Sequence, residues 1–401
     1  MGLNSGAMNP LQYTPRLSKR TAHIESFKVM ELVKEAHALQ AQGKPIIHLS
    51  IGEPDFGAPE PVRQALRASL LTGDFRYTQA TGMASLREAI SRYYLTRFNV
   101  NVDANRIIVT AGASAALTLA CAALVNPGDG VLMTDPSYPC NRHFVSAFEG
   151  KPRLLVCDAS TRFQMTAALL EEHWTATDTG TLIASPSNPT GTSIPWDELG
   201  KIMQVVRGRQ GFAIVDEIYL ELTYGSKPRS VLELGDDMIV TNSFSKYFNM
   251  TGWRLGWLVV PPALVADFEK LSQNLYICPS ALAQQAALSC FTDESLAIFD
   301  ERKQIFAQRR DFIVPALQAL GIDIPVVPDG AFYAWLDVSK TGIGAKQLAH
   351  RLLHEAHISV VPGEDFGMHR ADDFIRLSYA TGMPQLQQAV GRLSDFFKTR
   401  I

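Results

Sequence analysis

The chain has 401 residues, of which 46% are hydrophobic and 19% charged, with a net charge of −3 at pH 7. That length is too great for one small core and fits two domains, and the composition excludes wholesale disorder. The near-balanced charge gives no electrostatic reason to expect nucleic acid or an anionic membrane as a partner.

The N-terminal stretch Met1 to Pro15 is polar and lacks the apolar centre of a signal peptide; Gly6 stands where a myristoylation signal needs Ser or Thr. Five cysteines, Cys121, Cys140, Cys157, Cys278 and Cys290, form no CxxC pair, and each sits in or beside an apolar stretch. They read as buried free thiols rather than disulfides or zinc ligands, which points to a reducing compartment. No apolar run is long enough for a membrane span. A cytoplasmic protein is expected.

In chain order, residues 1–15 read as an arm, and residues 16–49 carry a helix expected to join a smaller C-terminal unit. Ser85-Leu86-Arg87-Glu88 has the form of a capping box, with Leu86, Ile90 and Tyr94 recurring on one helical face. Short apolar runs then follow at 107–110, 131–133, 154–156, 181–184, 212–215 and 238–240. Helical patterns separate several of them, at 114–125, at 139–148 and after Pro195. Continuous apolar runs alternating with helices predict an α/β fold whose mostly parallel sheet is covered on both faces. A long polar-rich helix from about 294 to 320 leads to runs at 332–336, 345–354, 374–379 and 384–397. These predict a large domain over 50–293 and a smaller α+β unit over 294–401.

Ligands of open α/β sheets bind beyond the C-terminal ends of the strands. Those ends carry Gly112-Ala113-Ser114, Ser137-Tyr138-Pro139, Asn188-Pro189-Thr190-Gly191, Asp216-Glu217-Ile218-Tyr219 and Ser243-Phe244-Ser245-Lys246, with Arg254 eight residues further on. Gly112, Ala113 and Ser114 at a helix start offer N–H groups and a hydroxyl to a phosphate. Ser243 and Arg254 add a hydroxyl and a fixed positive charge. Tyr138 offers a flat face for stacking on an aromatic ring. Asp216 can keep a pyridine nitrogen protonated, Asn188 and Tyr219 can hydrogen-bond a phenolate oxygen, and Lys246 is the amine for a Schiff base. The set suits pyridoxal 5′-phosphate (PLP). Taken singly, each residue has an ordinary reading as a turn, a helix cap, a loop aromatic or a surface charge. The ordinary readings do not explain why all of them share one sheet edge. Ser243-Phe244-Ser245-Lys246 also has the S-x-x-K form of penicillin-binding enzymes, but no Ser-Asp-Asn occurs and that reading leaves Asp216, Asn188 and Arg254 idle.

These motifs resemble the class I/II aminotransferases of PLP fold type I along nearly the whole chain. Ser50-Ile51-Gly52-Glu53-Pro54-Asp55-Phe56 resembles the family's opening segment, and Phe374-Ile375-Arg376-Leu377-Ser378 its substrate-arginine segment. The resemblance implies that Lys246, Asp216 and Tyr219 are catalytic, with Lys246 bound to PLP as a Schiff base and moving the substrate α-proton. It implies a cofactor site of Ala113, Ser114, Tyr138, Asn188, Asp216, Tyr219, Ser243, Ser245, Lys246 and Arg254. Substrate would be held by Gly52, Asn188 and Arg376, with no metal ion. It also implies small-molecule amino-acid and 2-oxo-acid substrates and a homodimer in which Tyr77 reaches the partner's phosphate site. Two alternatives share the motifs: a fold type I PLP lyase or synthase, and a non-catalytic PLP-fold ligand sensor. The neighbourhoods of Ser114 and of Tyr276-Ile277-Cys278-Pro279 hold no Lys or Arg to read a second carboxylate. That disfavours a dedicated aspartate enzyme and leaves alanine-like, methionine-like or aromatic donors.

Overall fold

Seven of the strands build one sheet, and the order in which they lie explains where the unusual residues gather. The computed structural model describes residues 15–26 and 28–400, so the expected arm lies almost wholly outside the described residues. A short β1 (Ile47–His48) is followed by β2 (Ile107–Thr110), β3 (Gly130–Asp135), β4 (Lys151–Val156), β5 (Asp178–Ala184), β6 (Phe212–Asp216), β7 (Ile239–Ser243) and β8 (Gly256–Val259). The large sheet has the order β2-β8-β7-β6-β5-β3-β4. All pairings are parallel except those of β8, which runs antiparallel to both β2 and β7.

The strand sequences account for the two covered faces. Successive side chains of a strand point to opposite sides, and here both members of each pair are apolar. Val109, Leu132, Ile183, Val215 and Val240 enter one core, while Ile108, Met133, Leu182, Ile214 and Ile239 enter the other. The second core is closed by Leu117 and Ala120 of the helix Ala113–Leu124 and by Phe268 of the helix Val265–Leu275. β8 was not among the expected strands, although Leu255 to Val260 is an apolar run with every residue buried.

The capping box at Ser85 is corrected. The helix runs Ala84–Phe98, Met83 holds the N-cap position, and no side chain of the segment caps it. The Met83 N–H instead donates to Oε1 of Gln284 at 2.7 Å, a partner 201 residues away. A cap supplied across the fold leaves no local pattern to read.

The helix Asp293–Ala319 is longer than a polar spacer requires, and it buries Phe299, Phe306, Ile313 and Leu317. Beyond it, β9 (Tyr333–Asp337), β10 (Ile358–Ser359), β11 (Val361–Pro362) and β12 (Phe374–Ser378) complete the strands. β11, β12 and β9 form an antiparallel sheet, and β1 pairs in parallel with β10. The helix Lys28–Ala41 packs beside this pair, with Ala36, Ile46 and Leu353 in one small apolar cluster.

Candidate active site

The C-terminal ends of β2, β5, β6 and β7 open on one cavity of about 460 Å³. Its lining includes Gly52, Ala113, Ser114, Tyr138, Asn188, Asp216, Tyr219, Ser245, Lys246, Arg254 and Arg376. Of the residues expected at the site, Ser243 and Tyr77 are not in the lining. Ser243 lies just beneath it. Its hydroxyl donates to the Leu255 carbonyl (3.1 Å) and accepts the Ser245 N–H (3.1 Å), so it shapes the turn that presents Ser245. Tyr77 is 86% exposed and lies outside the lining of its own chain's cavity.

One end of the cavity has features that would suit a phosphate. The helix Ala113–Leu124 starts there, so its first N–H groups lack intrahelical acceptors. Gly112, at φ 84° and ψ 172°, occupies a region open essentially only to glycine. A Cβ at this position would stand 2.6 Å from Nη2 of Arg254. The bare backbone therefore lets the guanidinium close against the helix start, and Arg254 is fixed by donating to the Thr251 carbonyl at 3.0 Å. N–H groups, two serine hydroxyls and one guanidinium make a dianion cradle.

The middle of the cavity holds the titratable groups. Asp216 is buried and accepts from the Ile218 N–H (3.1 Å) and the Thr241 hydroxyl (3.0 Å). Burial pushes its carboxyl up to about 6, against the pull of those hydrogen bonds and of the Lys246 charge. Burial also brings the Lys246 ammonium down to about 8. Lys246 Nζ donates to the Gly52 carbonyl. A buried carboxylate facing a cavity suits a cationic ring nitrogen, because an opposite charge at contact offsets the desolvation. These residues fit the pyridinium, phosphate and aldehyde of PLP.

The far wall holds Arg376, buried between the rings of Tyr333 (4.5 Å) and Phe366 (4.8 Å). Its Nη1 donates to Oδ1 of Asn188 (2.9 Å) and its Nη2 to the Ser50 carbonyl (2.6 Å). Its Nε is buried with no acceptor. The Tyr219 and Tyr333 hydroxyls lie 2.8 Å apart. A Cβ on Gly52 would come 2.9 Å from the Tyr333 hydroxyl, so this glycine keeps the wall open.

Tyr333, Glu53, Val33 and His37 also line the cavity and were not foreseen. Tyr333 arrives from the small sheet, where Phe332-Tyr333-Ala334-Trp335 has the look of ordinary core. Val33 and His37 come from the helix Lys28–Ala41, whose pattern shows a helix but not what faces it.

A mostly parallel seven-stranded sheet with Lys246, Asp216, Arg254 and Arg376 around one cavity has the architecture of a fold type I PLP enzyme. The sequence profile of the family "Aminotransferase class I and II" matches residues 44–393. The valine–pyruvate aminotransferase of Mycobacterium tuberculosis is 36% identical over 96% of this chain and all of its own length. The aspartate aminotransferase of Thermotoga maritima is 32% identical, over 96% of this chain and 100% of its own. Among solved structures, an aminotransferase from Mycobacterium tuberculosis matches with a TM-score of 0.93 at 36% identity, over 96% of this chain and 100% of that one. The aspartate aminotransferase of Thermus thermophilus with maleate matches with a TM-score of 0.90 at 30% identity, over 95% and 100% of the two chains.

The chain belongs to the class I and II aminotransferases, a PLP-dependent family. It is a transaminase. The lyase and sensor alternatives are not favoured, since the similar proteins named above are all aminotransferases. Among the described residues, no helix is long and apolar enough to cross a membrane.

Proposed function

We propose that this transaminase exchanges amino groups between L-amino acids with apolar side chains and 2-oxo acids, with PLP carried on Lys246. The observation that carries the reading is Arg376, in the same cavity as Lys246 and Asp216, with a buried Nε that has no acceptor. A carboxylate bound in a fork would satisfy that donor, and amino and 2-oxo acids share such a group.

PLP, when bound, supplies a ring that accepts the electron pair left at the substrate α-carbon. The chain's own residues do the rest. Asp216 would hold the proton on the ring nitrogen, and Tyr138 would offer a face to the ring. Asn188 and Tyr219 would donate to the ring oxygen. Ala113, Ser114, Ser245 and Arg254 would hold the phosphate, with Ser243 supporting the turn. Gly52 leaves room for the substrate beside Arg376. Lys246, its ammonium brought down to about 8 by burial, would take the α-proton and return it, as a base tuned toward working pH does best.

The side-chain preference rests on the lining. Lys246, Arg254 and Arg376 have partners or tasks already, and Val33, Ile51, Leu117 and Ile218 add apolar surface. His37 is the one further lining group able to carry positive charge. Initial rates with 2-oxoglutarate or pyruvate and a panel of amino donors test this. Valine, leucine, methionine or phenylalanine should exceed aspartate several-fold; aspartate as the fastest donor would refute it.

The dimer belongs to the same reading. Leu70, Leu71, Phe75, Tyr77, Leu275 and Ile277 are exposed, and the segment around Asp74 is tied to the helix Ala281–Ala287 by a hydrogen bond from Gln285. An apolar surface of this kind asks for a partner, and a two-fold axis would bring each Tyr77 to the other chain's phosphate cradle. The five unpaired thiols support work in a reducing compartment such as the cytoplasm.

A further inference from the structure

We propose that Glu35, His350 and His354, outside the catalytic cavity, form a binding site for a divalent transition cation of the zinc type. They are the one group among the described residues whose His, Cys, Asp or Glu ligand atoms converge in this way, all within 4.8 Å of one another. His350 and His354 are four residues apart where the helix Ala345–Arg351 passes into a π-helical turn, Leu352–Ala356. That spacing stacks side chains on one face, and the two ring centroids are 4.3 Å apart. Glu35 comes from the helix Lys28–Ala41, and its Oε1 lies 2.9 Å from Nε2 of His354.

Zinc takes nitrogen and carboxylate oxygen ligands at ~2.0–2.2 Å, which sets neighbouring ligand atoms about 3–3.6 Å apart. Glu35 is half-buried and both histidines are exposed, so the side chains can rotate to that spacing, with the metal replacing the hydrogen bond between His354 and Glu35. Two imidazoles and one carboxylate suit zinc and its neighbours rather than magnesium or calcium, which prefer oxygen alone. Water would complete the coordination on the solvent side. A hydrogen bond between His354 and Glu35 explains two of the residues; it leaves the second imidazole against the first without a reason. The nearby Arg351 guanidinium is matched elsewhere, by Glu355 (3.1 Å) and the Phe396 ring (5.0 Å).

The site would act on the catalytic cavity through one helix. Val33 and His37 line that cavity, and Glu35 lies between them in sequence, roughly on the opposite side of the helix. The contact beneath is the small cluster of Ala36, Ile46 and Leu353. A bound cation would therefore pin this wall of the cavity to the segment 345–356.

Chelator-treated holoenzyme titrated with zinc by calorimetry tests the proposal. One ion per chain is expected. Losing a residue that merely supports a metal ligand costs ~10–100-fold in affinity. His350→Gln and Glu35→Gln should each cost no less, and His350→Gln with His354→Gln should abolish the event. These side chains are exposed or half-buried, so the variants should fold. Zinc should also slow hydrogen exchange across residues 28–41 in the wild type and not in the double variant. No saturable binding up to millimolar zinc overturns the site. So does binding that survives in the double variant, and unchanged exchange in 28–41 overturns the pinning.

Discussion

Replacing Arg376 by lysine keeps the charge and removes the fork, and the structure sets the size of the effect. Arginine has five N–H donors and lysine three. Asn188 Oδ1 and the Ser50 carbonyl each occupy one donor of Arg376, which leaves the buried Nε and others for a substrate carboxylate. A lysine serving the same two acceptors has one donor left. The variant thus loses one charge-assisted hydrogen bond to substrate, ~1.5–3 kcal/mol or about 10- to 150-fold in kcat/KM. Steady-state rates in both directions should show the loss for the amino acid and the 2-oxo acid alike. Cofactor affinity, followed by visible absorbance, should hold, because Arg376 is not among the residues proposed to hold the cofactor. A loss under threefold, or an equal loss with an amine that has no carboxylate, would refute the anchor.

Three further outcomes follow from the same geometry. In the cofactor-free protein, burial lifts Asp216 from 3.8 to about 6, so the fold binds this proton more tightly than the unfolded chain and loses stability as pH rises through that window. The loss reaches about 3 kcal/mol above it; cofactor-free Asp216→Asn should match the wild type near pH 4 and melt higher at pH 7.5, and equal melting at both pH values would contradict this. Gly112→Ala sets a Cβ 2.6 Å from Arg254 Nη2 at a glycine-only backbone position, a strain of ~1–3 kcal/mol; PLP titration should show roughly tenfold or greater weakening, and an unchanged constant would remove Arg254 from the phosphate. Tyr77→Phe should loosen PLP about tenfold by the loss of one phosphate hydrogen bond while sedimentation still shows a dimer. Full PLP affinity, or an active monomer, would exclude the shared site.

Much of this fold was legible because the strands of a sheet covered on both faces are unbroken apolar runs. Ile107–Thr110 is read to the residue, and the other runs are read to within a few positions. β8 was hidden because the segment around Arg254 is read for its charge rather than as the approach to a strand. The site residues that follow strands are legible for the same reason as the strands. Those that arrive from outside the large sheet, Tyr333 from β9 and Val33 and His37 from the helix Lys28–Ala41, carry no local mark, since only tertiary packing brings them to the cavity. Ser243 shows a finer limit: the pattern places it at the turn, but which of Ser243 and Ser245 faces the cavity depends on backbone hydrogen bonds. The His350–His354 spacing is visible in the sequence, whereas Glu35 lies more than three hundred residues away and only the fold joins them.

The most direct test of the central claim is to reduce the holoenzyme with borohydride and map the modified peptide by mass spectrometry. The account predicts one pyridoxyl group per chain, on the peptide containing Lys246, with none in Lys246→Ala. A label on any other lysine, or a Lys246→Ala protein that still transaminates at the wild-type rate, would contradict it.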